Sequence, residues 1–117
     1  GSYLMQDIDL NHMAAEIDAG GVQVEIGASM KARTVSVREG YPYVYGYLIG
    51  TAADPNRINT YMTTGRVMED RWTYADTSYP VPPHTRKIRI FLKRSAVAGV
   101  GDSNTAYFDD VCVHLNR

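Results

Sequence analysis

Two adjacent carboxylates near the end of the chain, Asp109 and Asp110, are the residues whose types most directly suggest chemistry. Strand alternation puts Asp109 on one side with Tyr107, Val111, Val113 and Leu115. If that apolar side is the core, Asp109 points inward. A buried carboxylate is costly unless it is hydrogen-bonded or holds a metal ion. The expectation is therefore a hydrogen-bonded structural aspartate or an oxygen ligand for a hard cation such as calcium. Asp110 is expected to face outward.

The aromatic residues offer a different chemistry. Tyr41, Tyr43, Tyr45 and Tyr47 recur at period two, with Val44, Gly46 and Leu48 between them. In a strand they form one stripe. Aromatic faces stack on the apolar faces of sugar rings, so the stripe reads as a glycan platform. The foremost alternative is that it forms the core face of its strand; a third is a subunit interface, where tyrosine is enriched. Trp72 and Tyr74 could extend a stacking surface, and Tyr79, beside Pro80, Pro82 and Pro83, is expected at an exposed loop tip. Arg86, Lys87, Arg89, Lys93 and Arg94 cluster on one segment, and Lys87, Arg89 and Lys93 share a side with Phe91. Such a face suits an anionic polymer, or simply guards a sheet edge with charge.

Other chemistries are excluded by what the chain lacks. His12, His84 and His114 follow no metal-ligand spacing, and no nucleophile-elbow, zincin, P-loop or dinucleotide motif occurs. Glycoside hydrolysis needs two carboxylates across a cleft, and Glu69-Asp70 reads as a solvated turn. An enzyme is not expected. The lone cysteine, Cys112, allows no internal disulfide. The chain has 117 residues and a formal net charge of −1, which argues against general binding to nucleic acid or an anionic membrane. No apolar run approaches the roughly 18 residues of a membrane helix, and no charged-then-apolar leader is seen.

Period-two alternation must position these residues. It predicts strands at residues 3–10, 22–37, 43–49, 58–67, 72–79, 87–93 and 106–115. Residues 22–37 read as one long strand, or as two joined by a bulge near Gly27. Residues 11–19 break the alternation and read as a short helix stopped by Gly20-Gly21. Asp54-Pro55-Asn56 is a turn signal. Gly1-Ser2 reads as a cloning scar, and residues 3–117 as one domain. Short strands at this spacing predict an all-β sandwich.

Several of these segments, in order, carry a pattern. Gln6 to Leu10 reads Q-D-I-D-L, and Ile17 to Gly20 reads I-D-A-G. A tryptophan strand at Trp72 leads to V-P-P-H-T-R-K-I-R-I from Val81 to Ile90, and A-Y-F-D-D-V-C-V closes the chain from Ala106 to Val113. Together they resemble the galactose-binding-domain-like jelly roll found in many carbohydrate-binding modules. The resemblance implies a jelly-roll β-sandwich of two antiparallel sheets with one short helix after the first strand. It implies a core position for Trp72 and a structural calcium near Asp109 and Asp110. Members of the family usually carry a further opening segment before the first of these motifs, so a sheet edge is expected to be open near residues 3–10.

The functional expectation is a non-catalytic carbohydrate-binding module of a larger secreted or surface protein, extracellular or on a cell or virion surface. Its glycan contacts would be Tyr43, Tyr45, Tyr47, Trp72, Tyr74, Tyr79 and Arg89. The alternative is a structural or adhesion subunit of surface, filament or phage-tail type, a homo-oligomer that assembles through sheet edges and the tyrosine stripe.

Overall fold

The computed structural model of the chain describes residues 3–33, 40–96 and 105–116. Among the described residues seven strands alternate with turns: β1 (Tyr3–Asp9), β2 (Gln23–Arg33), β3 (Gly40–Ile49), β4 (Ile58–Thr63), β5 (Thr73–Pro80), β6 (Lys87–Ala96) and β7 (Thr105–Asn116). They form two antiparallel sheets, one ordered β1-β6-β3-β4 and the other β5-β2-β7. The chain is an all-β sandwich with one short helix, α1 (Ala14–Ala19), entered through a 3-10 turn at Asn11–Met13. The predicted turn at residues 38–40 and loop at residues 96–104 lie largely outside the described residues.

Local chemistry explains the elements. α1 ends where Gly20 and Gly21 both take positive φ, +86° and +85°, a region open to glycine at little cost. Asn11 does not cap the helix with its side chain. Instead the Asp9 carboxylate accepts hydrogen bonds from both the backbone N–H and the side-chain amide of Asn11. The Asp54 carbonyl accepts from the N–H groups of Thr51 and Arg57, closing the predicted turn between β3 and β4. The prolines end β5 at Pro80, and the chain then hooks back, with the Thr85 hydroxyl donating to the Pro82 carbonyl at 2.8 Å.

The core lies between the sheets. β2 supplies Val24, Ile26, Ala28 and Met30, all fully buried, and β3 and β6 answer with Val44, Leu48, Ile88 and Ile90. Each of the larger of these side chains contributes roughly 1.5–3 kcal/mol by leaving water. Leu10 and Ile17 close one end. A salt bridge ties that end to the β5–β6 turn: Arg86 donates to both carboxylate oxygens of Asp18, at 3.0 and 2.6 Å, and the His84 backbone N–H donates to the same carboxylate at 2.8 Å. These donors hold the Asp18 carboxyl down to about 2, with the Arg86 hydrogen bond the largest cause and the His84 N–H next.

The fold corrects three expectations. The tyrosine stripe is not a core face: in β3 the residues between the tyrosines, Pro42, Val44, Gly46 and Leu48, are buried, while Tyr41, Tyr43, Tyr45 and Tyr47 are half-buried on the opposite side. Trp72 is not a core anchor, being 52% exposed just before β5. Asp109 does not point inward. β2 runs as one strand, and a bulge lies beside Gly27 with its extra residue on β7. Gly27 pairs with Cys112 and Ser29 with Asp109, so two residues of β7, Asp110 and Val111, lie opposite Ala28. Asp110 takes φ +50°. The added residue reverses the alternation: Val113, Leu115 and Phe108 pack on the core, and Asp109 is exposed.

Two ends of the sandwich differ. Among the described residues β1 pairs only with β6, and β7 only with β2. The four-stranded sheet has one strand more than its partner among the described residues; on β1, Ile8 packs against the core while the start of the strand is exposed. Leu4 is 71% exposed although its alternation points it to the core side. Leu4, Met5, Gln6, Ile90, Leu92 and Val111 line a groove of about 320 Å³ along this seam.

Candidate functional site

The outer face of the four-stranded sheet gathers the aromatic residues. In register across it, Met5 of β1 lies beside Phe91 of β6, Phe91 beside Tyr45 of β3, and Tyr45 beside Thr63 of β4. The next row is Asp7, Arg89, Tyr47 and Tyr61. Tyr43 pairs with Lys93. Strand order therefore builds from four separated segments a surface that no single segment contains.

The rings touch. Tyr45 stacks on Phe91 with centroids 4.6 Å apart and planes 8° from parallel. Tyr43 stacks on Tyr45 at 5.6 Å, and Tyr47 meets Tyr45 edge-on at 5.7 Å. Tyr61 lies 5.6 Å from Tyr45 and 5.7 Å from Tyr47. Such offset and edge-to-face pairs each contribute about 0.5–1.5 kcal/mol beyond area burial. Cross-strand pairing of this kind stabilises a sheet on its own. The ring surface also reaches solvent at its margins, where Tyr61 and Met5 are about half exposed. Beside the rings, Tyr43, Tyr61, Thr63, Gly65 and Arg66 enclose a shallow pocket of about 260 Å³.

The charges on this face are ordered. Arg89 donates to Asp7 through Nε at 2.8 Å and Nη2 at 3.1 Å, a fork-to-carboxylate pair. Lys87 Nζ lies 3.9 Å from the same carboxylate. The Arg89 hydrogen bond, helped by the Arg89 and Lys87 charges, holds the Asp7 carboxyl below its usual range. Arg89 is raised by the same bond. Asp7 thus orients the Arg89 guanidinium beside Tyr47.

Of the contacts expected from sequence, Tyr43, Tyr45, Tyr47 and Arg89 come together here. Tyr74 does not: it lies on the outer face of the other sheet, its hydroxyl 3.3 Å from Cys112 Sγ. Its phenol is pushed up to about 12, chiefly by the Cys112 hydrogen bond, then by burial and the nearby Cys112, Glu25 and Asp76 charges. Trp72 and Tyr79 belong to the β5 region and are 52% and 39% exposed. Tyr61, Phe91, Met5 and Arg66 join this face or its pocket outside the tyrosine stripe. The outward alternation of Phe91 with Arg89 and Lys93 is legible in sequence, whereas the arrival of Tyr61 depends on the β3–β4 register.

The Asp109–Asp110 pair, the expected calcium ligands, lies exposed on β7. Calcium takes six to eight oxygen ligands, several from carboxylates. Here Asp109 Oδ1 accepts the Asp110 backbone N–H at 2.9 Å, and both residues are exposed. Among the described residues no three His, Cys, Asp or Glu side chains converge as metal ligands. The chain matches no protein-family model and no curated protein sequence.

Proposed function

We propose that this chain is a non-catalytic carbohydrate-binding module that lays a glycan across the outer face of its four-stranded sheet. The observation that carries this reading is the contiguous ring surface of Tyr43, Tyr45, Tyr47, Tyr61 and Phe91, half-exposed and held on regular strands. Pyranose rings present apolar C–H faces that stack on aromatic faces, while their hydroxyls need hydrogen-bond partners. Tyrosine supplies both, an apolar ring with a polar tip. Rigid strands fix the rings before binding, which lowers the entropic cost of association. On this reading the domain works outside a cell or on a cell or virion surface, where polymeric glycans are found. A glycan array followed by titration calorimetry tests it. Binding that disappears in a folded Tyr45→Ala variant supports the reading, and an array without a hit refutes it.

A second reading is favoured by the seam. Leu4 and Val111 are exposed along the seam, and edges with no second neighbour among the described residues invite another strand. The chain is then a structural or adhesion subunit that assembles there with further copies. Sedimentation over a wide concentration range separates the two: a monomer that binds sugar supports the first, a sugar-indifferent oligomer the second.

A further inference from the structure

The aromatic face is bordered by cations. Lys93 is the register partner of Tyr43 on one side, and Arg66 shares a pocket with Tyr43 and Tyr61. Neither has an acidic partner within 4 Å among the described residues, whereas Arg89 and Lys87 on the same face share Asp7. The outer face of this sheet with its pocket therefore sets Lys87, Arg89, Lys93 and Arg66 against Asp7 and Asp9. Asp9 accepts hydrogen bonds from Asn11, and Asp7 is neutralised by its own arginine. The chain as a whole carries a formal charge of −1, so positive charge is concentrated on the aromatic side. On the other sheet, Glu25 and Asp76 lie close enough to Tyr74 to disfavour its ionisation.

A neutral polysaccharide engages the rings but gives Lys93 and Arg66 no counter-charge. An acidic one supplies it. We infer that the face selects an anionic glycan, carrying carboxylate or sulfate groups along its chain, with Tyr43 stacking one sugar ring while Lys93 and Arg66 meet its anionic substituent. This rests on the glycan-binding reading and adds the ligand's charge to it. Arg66 is suited to the task because a guanidinium matches a carboxylate or sulfate with two parallel donors. Lys93 acts as a point charge beside the same ring.

The test compares polymers that differ in charge on one backbone: polygalacturonate against its fully methyl-esterified form, and dextran sulfate against dextran, with alginate, hyaluronan and chondroitin sulfate completing the anionic set. Affinity electrophoresis and calorimetry are run on the wild type, Tyr45→Ala, the double variant Lys93→Gln/Arg66→Gln, and Lys31→Gln as a control outside the face. The expected result is binding to at least one anionic polymer, at least tenfold tighter than to any neutral polymer. That binding falls at least tenfold in both Tyr45→Ala and the double variant and is unchanged in Lys31→Gln. Neutral-polymer binding that depends on Tyr45 but ignores Lys93 and Arg66 overturns the charge selection and leaves the glycan reading standing. Anionic binding that survives Tyr45→Ala, or weakens equally in Lys31→Gln, is unspecific attraction and overturns the inference. No binding to any polymer overturns both.

Discussion

Replacing Tyr45 by alanine separates a binding face from a core more sharply than any other single change. Tyr45 is the hub of the ring surface, in contact with Phe91, Tyr43, Tyr47 and Tyr61 at 4.6–5.7 Å. A fully buried aromatic truncated to alanine costs about 3–5 kcal/mol. Tyr45 is only half-buried and leaves no enclosed cavity, so the cavity contribution drops out and the lost ring contacts remain. With pairs at about 0.5–1.5 kcal/mol each, and four of them sharing one partly solvated ring, a loss of about 2 kcal/mol is expected. At roughly 4 °C per kcal/mol for a domain of this size, the melting temperature falls by ~8 °C. Glycan affinity falls far more in proportion, at least tenfold, which corresponds to about 1.4 kcal/mol. Tyr45→Phe keeps the stack and should retain most of both. Chemical denaturation, a thermal melt and calorimetry on the three proteins suffice. Destabilisation above about 4 kcal/mol refutes the surface placement, and unchanged affinity in a folded Tyr45→Ala protein removes the ring from the binding surface.

Further expectations concern the scaffold. Gly50 has φ +126°, and a Cβ there would lie 2.4 Å from the His84 carbonyl oxygen; Gly50→Ala should destabilise by about 3 kcal/mol, since strained backbone and a backbone clash combine, and a melt within a degree of the wild type would contradict the close approach. The Asp18 carboxyl, held down to about 2 by Arg86 and the His84 N–H, has a folded pKa below its unfolded one. Its contribution is therefore present above about pH 4 and lost as pH falls towards 2. Asp18→Asn should be less stable than wild type at neutral pH, with the gap closing in acid; denaturant melts between pH 2 and 7 showing a constant gap would contradict this. If copies associate through the seam, Val111→Lys should shift sedimentation towards monomer without lowering the melting temperature of the monomer, because Val111 is 43% exposed.

Much of the scaffold is legible in the residues themselves. Period two sets each strand, because successive side chains leave a strand on opposite sides whatever surrounds it. Val24, Ile26, Ala28 and Met30 alternate with polar residues, so the inward face of β2 follows from sequence. Gly20-Gly21 stops the helix for a backbone reason that needs no partner. Alternation cannot say which side is inside when both sides are apolar, and β3 is that case: Tyr43, Tyr45 and Tyr47 against Val44, Gly46 and Leu48. Only packing against β2 and its sheet decided it, turning the tyrosines outward. The orientation of Asp109 was decided by one extra residue in β7, where Asp110 at φ +50° reverses every side chain on the far side of the bulge. The site itself is a product of strand order. β6 lies between β1 and β3, so Phe91, Met5 and Arg89 reach the tyrosines across long stretches of sequence, and no local pattern encodes which distant strands become neighbours.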